Sequence, residues 1–262
     1  AMRSLSIAST GMLAQQLNVE VISNNIANMN TTGFKRQRAA FQDLLYQNVR
    51  RVGSSSSDAG TIVPSGVQIG VGVKAGSVYR ITEQGDIAIT DNPLDLAING
   101  RGFFRVTLPT GEDAYTRSGN FSVGADGQLV TQDGFVVAPG ITVPNNAQDL
   151  SINANGEVLA KIAGQTAFQN LGQFELVTFF NDAGLEAVGD NLFLESPASG
   201  AATTGIPGQA GFGSIQQGFL ETSNVNPVQE ITDLITAQRA YEMNSKVITA
   251  SDEMMAAINT LR

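Results

Sequence analysis

Apolar side chains repeat every seven residues at both ends of this chain, and no other feature constrains the fold as much. Near the N-terminus, Leu5, Ala8, Met12, Val19, Ile22, Ile26 and Met29 fill the a and d positions of a heptad, with Gln15 in the remaining slot. Near the C-terminus two adjacent columns run in sevens: Leu234, Tyr241, Ile248 and Met255, and beside them Ala240, Val247, Met254 and Leu261. Asn226 as N-cap, Pro227 at the first helical position and Gln229 at the third mark where that helix starts. Each helix should be roughly 40 Å long at 1.5 Å per residue. Helices that simply pack on a central domain drift at 3.6 residues per turn, whereas a strict repeat of seven imposes a supercoil. The two ends are therefore expected to zip into a coiled coil, Leu5, Met12, Val19, Ile22 and Ile26 against Leu234, Tyr241, Ile248 and Met255. Val247, Met254 and Leu261 are then left to face neighbouring copies, since an exposed apolar strip of that length is an association site or a liability. Such helices are marginal without neighbours and are expected to order on assembly.

Between the ends the pattern changes. Turn signals recur at Asn99-Gly100, Asp126-Gly127, Asp133-Gly134, Asn155-Gly156 and Ala183-Gly184. They separate short β-type runs such as "GFFRVTL", "AYTRSGNFSV", "QLVT", "GFVVA" and "LVTFF". The predicted class is α+β: N- and C-terminal helices forming a coiled coil, a central all-β domain and an extended linker. Residues 1–33 and 226–262 form the helical part, and 73–212 the β-rich outer domain. Residues 34–72 and 213–225 form the linker, with a low-complexity loop around "GSSSSDAGT".

Chemistry finds little to work with. Histidine and cysteine are absent, which removes the usual base of a nucleophilic triad, thiolate chemistry and thiolate metal sites. Lys35, Lys74 and Lys161 form no recognisable Ser-Lys spacing. Asp91 with Asp95, and Asp126 with Asp133, sit in turns where acids cap or solvate. The glycines of "SGVQIGVGVKAG" lack a phosphate-loop spacing, and Pro93 spoils a calcium loop at Asp91. The reading is non-enzymatic, with no cofactor and no metal. In Phe103-Phe104 and Phe179-Phe180, one ring of each pair is expected in a core and the other against a loop or partner. The net charge is −9, which argues against a nucleic-acid partner. Its distribution is uneven: Arg3, Lys35, Arg36, Arg38, Arg50 and Arg51 against Glu20 and Asp43 give residues 1–51 a balance of +4, leaving −13 for the rest. The basic run "FKRQR" reads as a subunit-contact or solvated patch. No run approaches the roughly 20 apolar residues of a membrane span, and the N-terminus lacks a cleavable signal pattern. Direct membrane insertion is not expected, and export would proceed uncleaved by another route.

The first helix ends in "SNNIANMNTTGFKR", where Asn28 and Asn30 can take left-handed geometry or cap carbonyls and Gly33 frees the backbone. This passage closely resembles the N-terminal signature of the flagellar rod, hook and hook-filament-junction axial proteins, carried here by Asn25, Asn28, Thr32, Gly33, Phe34 and Lys35. The far end, "ETSNVNPVQEITDLITAQRAYEMNSKVI", resembles their C-terminal signature. Within the family the resemblance is closest to the distal-rod members and covers essentially the whole chain, including "FQDLLYQNVR", "PSGVQIGVGV" and "NLFLESPASG". The segment with Gly53, Ser54, Ser57, Asp58 and Thr61 matches in position an insertion typical of those members, although its serine-rich interior departs from them. The resemblance implies a structural subunit of the distal rod, crossing the periplasm and assembling helically with its own copies into a rigid hollow drive shaft that carries torque from motor to hook. Its implied partners are proximal rod proteins, the hook protein, the peptidoglycan-ring and outer-membrane-ring proteins and the flagellar type III export apparatus. A proximal rod or hook subunit shares the same ends. A secreted peptidoglycan hydrolase or an adhesin would leave the heptads unexplained.

Overall fold

The computed structural model describes residues 2–50 and 67–260. The chain divides into two compact units, a helical unit of Ala1–Ile26, Gln37–Tyr79 and Pro227–Arg262, and a β unit of Ala27–Arg36 and Arg80–Asn226. The expected insertion residues Gly53, Ser54, Ser57, Asp58 and Thr61, and the expected packing residue Leu261, lie outside the described residues.

In the helical unit, α1 spans Met2–Ala27 and α2 spans Pro227–Thr260. The second begins at the proline that marked it, whose missing N–H costs a first turn nothing. Two antiparallel pairs accompany the helices: Gln37–Asp43 with Val73–Arg80, and Tyr46–Arg50 with Val67–Gly70. Thr10 ties α1 to this ribbon, its hydroxyl accepting from the Val73 N–H at 3.2 Å. Among the described residues, no helix is long and apolar enough to cross a membrane.

The β unit is organised around the strand Phe103–Thr107. One edge pairs with Asp113–Thr116; the other is shared by Val136–Val137 and Leu176–Thr178. Alternation along this strand sends Phe104 and Val106 into a core with Phe121, Phe174, Leu176 and Ile215, and Phe103 into a second cluster with Tyr115, Val177, Phe179 and Phe193. Both faces are covered, so Phe103 and Phe104 are each buried, whereas Phe179 is buried and Phe180 is 97% exposed. Rings meet edge to face, Phe104 on Phe121 at 5.0 Å and Tyr115 on Phe179 at 4.8 Å, the arrangement that aligns a ring's positive edge with its neighbour's negative face.

Turn glycines behave largely as their sequence context predicts. Gly100, Gly127, Gly134 and Gly156 all have positive φ. Gly184 does not; it closes the 3₁₀ turn Asp182–Gly184, where a Cβ would come within 2.6 Å of the Ala198 backbone. Much of the expected linker is in paired strands: Gln37–Asp43, Tyr46–Arg50, Val67–Gly70, Ser214–Gln217 with Leu96–Asn99, and Phe219–Glu221 with Ile87–Ile89.

Candidate assembly site

The two helices of the helical unit run antiparallel in a fixed register. Ser4 and Ser251 hydroxyls are hydrogen-bonded at 3.0 Å. A Cβ on Gly11 would meet the Asn244 side chain at 2.9 Å. Asn25 Nδ2 donates to Glu230 Oε2 at 3.2 Å. Residue numbers rise by seven or fourteen on one helix as they fall by the same step on the other, and the same register sets Asn18 opposite Ala237. The register steps in sevens, and on α2 the column it selects is small or polar. Glu230, Ala237 and Ser251 are the buried residues of α2. Small side chains let two helix backbones approach closely, and the amide and hydroxyl pairs satisfy each other where water is excluded. Asn25 also mimics a strand neighbour: its Nδ2 donates to the Gln37 carbonyl and its Oδ1 accepts from the Gln37 N–H, both at 2.8 Å.

A second meeting of the chain ends lies in the β unit. The Gly33 N–H donates to the Glu221 carbonyl at 2.8 Å, the Asn224 N–H to the Phe34 carbonyl at 3.3 Å, and the Arg36 N–H to Asn224 Oδ1 at 2.7 Å. Glu221, 1% exposed, stands between two cations. Its Oε1 accepts from Lys35 Nζ at 2.5 Å and from the Gly85 N–H at 3.0 Å, and its Oε2 accepts from Arg117 Nε at 2.8 Å. The rest of the Arg117 guanidinium donates to the carbonyls of Gly100, Gly102 and Ile98. Lys35 Nζ also donates to the Glu83 carbonyl at 2.8 Å. Burial holds the Lys35 ammonium below its ordinary pKa, outweighing the opposing pull of Glu221. The two end signatures are thus joined by backbone bonds and by a buried charge cluster that no single segment could build.

The comparisons match these same segments. The family described as "Flagella basal body rod protein" matches residues 5–35, "Flagellar hook protein FlgE/F/G D1 domain" residues 97–160, and "Flagellar basal body rod FlgEFG protein C-terminal" residues 216–261. A protein named flagellar basal-body rod protein FlgG from Caulobacter vibrioides is 63% identical over 261 residues, covering 100% of both chains. Its namesakes from Agrobacterium fabrum and Bacillus subtilis are 52% and 41% identical, covering 98% and 100% of this chain and 98% and 99% of their own. This chain belongs to the flagellar basal-body rod proteins.

For this rod-protein chain the expected packing residues fall into three groups. Ile22 is buried; Leu5, Met12, Val19, Ile26, Leu234, Ile248 and Met255 are half-buried. Tyr241, Val247 and Met254 are exposed, by 41%, 45% and 54%. Of the helix-end residues, Asn25, Gly33 and Lys35 are buried, and Asn28, Thr32 and Phe34 half-buried. Neither Asn28 nor Asn30 takes a positive φ; Asn28 Oδ1 accepts from the Thr31 hydroxyl, and Gly33, at φ +68°, makes the left-handed step. Lys35 does not belong to a solvated basic patch, because Glu221 draws it inside. Arg117 and Glu221 carry no local signal in the sequence, although Lys35 and Glu221 both sit within the signatures.

Gly33 is a sensitive backbone point of this junction. A Cβ there would lie 3.0 Å from the Arg117 carbonyl carbon, in a backbone conformation that costs an L-residue roughly 1–2 kcal/mol. Gly33→Val is expected to lose at least that much, read as a lowered urea midpoint with an unchanged slope.

Proposed function

We propose that this chain is a structural, non-enzymatic subunit of the distal rod, whose copies stack helically into a hollow, stiff shaft transmitting torque from motor to hook. The observation that carries this reading is the pairing of the two chain ends, which leaves a second apolar stripe on α2 exposed: Val228, Ile231, Ile235, Met243, Val247, Met254 and Ile258. Successive members are three, four, seven or eight residues apart, the spacing of neighbouring positions on a helix surface, and exposed apolar groups in that number suit a surface covered by another copy. The column with Leu234, Ile248 and Met255 serves the pair within a subunit, and Val247 and Met254 serve neighbours. Close-packed layers of this kind resist deformation, which is what a torque-bearing shaft needs. Proximal rod proteins, the hook protein, the ring proteins and the type III export apparatus are its partners, and the serine-rich insertion around Ser54 stiffens the shaft. A hook or proximal-rod place is the second reading, supported by the hook wording of the match over residues 97–160.

Cysteines at Ser4 and Ser251 test the intrachain pairing, in a chain with no native cysteine to interfere. The 3.0 Å hydroxyl contact predicts an intrachain disulfide on oxidation, with straight rods still seen by electron microscopy. Disulfides only between chains would transfer the seam to neighbouring subunits, and curved assemblies would favour the hook reading.

A further inference from the structure

A pocket of about 220 Å³ in the β unit carries more positive charge than the surrounding chain can balance. Lys35 and Arg117 form one side, already committed to Glu221, while Arg80 and Arg101 form the rest of the cationic lining, with Asp182 the one acid among the lining residues. Arg80 lies over the Phe193 ring at 4.7 Å and gives one N–H to the Leu185 carbonyl at 3.2 Å. Among the described residues it has no ion-pair partner. Burial lowers its pKa, with no acid to oppose the shift. Arg101 donates to the Phe179 carbonyl at 2.9 Å and reaches Asp182 Oδ2 only at 3.7 Å. The other carboxylate oxygen of Asp182 is buried and accepts nothing. Such a pocket lacks an anion for Arg80 and Arg101.

We infer that the pocket seats an acidic turn of a second copy of this chain, its Asp or Glu carboxylate on Arg80 and Arg101. Charge complementarity points to a second copy: beyond residue 51 the chain carries −13, and exposed acids stand on turns at Asp126-Gly127 and Asp133-Gly134. The inference rests on self-assembly, and deepens that reading by giving the β unit a subunit contact of its own.

The test is site-specific photo-cross-linking in cells assembling this chain, with p-benzoylphenylalanine placed at Thr82 in the pocket wall and, separately, at Val247 on α2. Thr82 is expected to give a covalent dimer whose captured peptide contains Asp or Glu. Arg80→Gln should cut that yield at least fivefold without changing the Val247 yield, and Arg80→Lys, which keeps the charge, should retain most of it. Dimers at Val247 with none at Thr82 would overturn the pocket contact alone. So would a Thr82 yield indifferent to Arg80→Gln, or a captured peptide without an acid. No dimer at either position would overturn self-assembly together with it.

Discussion

Exchanging Glu221 for glutamine is expected to lower stability by about 3–5 kcal/mol, the usual cost of removing one partner from a buried ion pair. For a unit of this size that is a fall of about 10 °C in the melting temperature. The effect is large because two cations, Lys35 and Arg117, are 7% and 5% exposed and share this one carboxylate. Lys35→Met should cost much less. It leaves Glu221 with Arg117 one to one, and removes an ammonium whose burial already lowers its pKa. The sign of the pH effect separates the two variants further. Folded Lys35 holds its proton less tightly than the unfolded chain does, so the stability of the unaltered protein rises as pH climbs from the depressed pKa toward the ordinary 10.5. Lys35→Met should lack that contribution. Equal losses in both variants, measured by calorimetry at pH 7, would mean that Glu221 acts as a spacer rather than as a shared counter-charge.

The cluster shows what a sequence read alone can and cannot hold. Heptads of Leu, Ile, Val and Met are local signals that locate both helices, and the Asn226-Pro227 cap signal places the first residue of α2. Alternation around Phe104 and the turn glycines likewise locate its neighbours Asp113–Thr116, Ser122–Val123, Leu129–Val130, Val136–Val137 and Leu176–Thr178. Those signals depend on neighbours within one or two turns of chain. The column of Ser4, Gly11 and Asn25 against Ser251, Asn244 and Glu230 reads in sequence as a set of interruptions. It becomes a seam only once the antiparallel register is known, across a separation of 247 residues for the serines. Glu221 and Arg117 are 104 residues apart, and nothing local marks either as half of a pair. The ribbon strand Gln37–Asp43 reads as linker for a related reason: it has no fully buried residue, so "QRAAFQD" shows no clean alternation. Asn25 and Lys35 stand between these cases. The resemblance marked them, and the structure gives each a physical task, one matching the Gln37 peptide group and the other pairing with Glu221.

Placing an aspartate at Val247 or at Ile248 should abolish rods in both cases, for different reasons. Ile248 is half-buried in the covered stripe of α2, four residues from Asn244 and three from Ser251. A carboxylate there is desolvated against α1 without a partner, at a cost of about 1–3 kcal/mol or more. With cysteines at Ser4 and Ser251 in the same chain, Ile248→Asp should sharply reduce the intrachain disulfide. Val247 flanks that stripe but is 45% exposed, so an aspartate there keeps its contact with water and Val247→Asp should leave the disulfide yield largely as it was. Its penalty falls on the contact between copies and recurs at each added subunit. About 3 kcal/mol per contact weakens each addition roughly a hundredfold, enough to prevent a helical polymer from growing. Circular dichroism in the β-sheet region should be unchanged in both variants. Rods of normal length from Val247→Asp would remove the exposed stripe from the assembly, and a lost disulfide in that variant would assign both columns to the pairing within one chain.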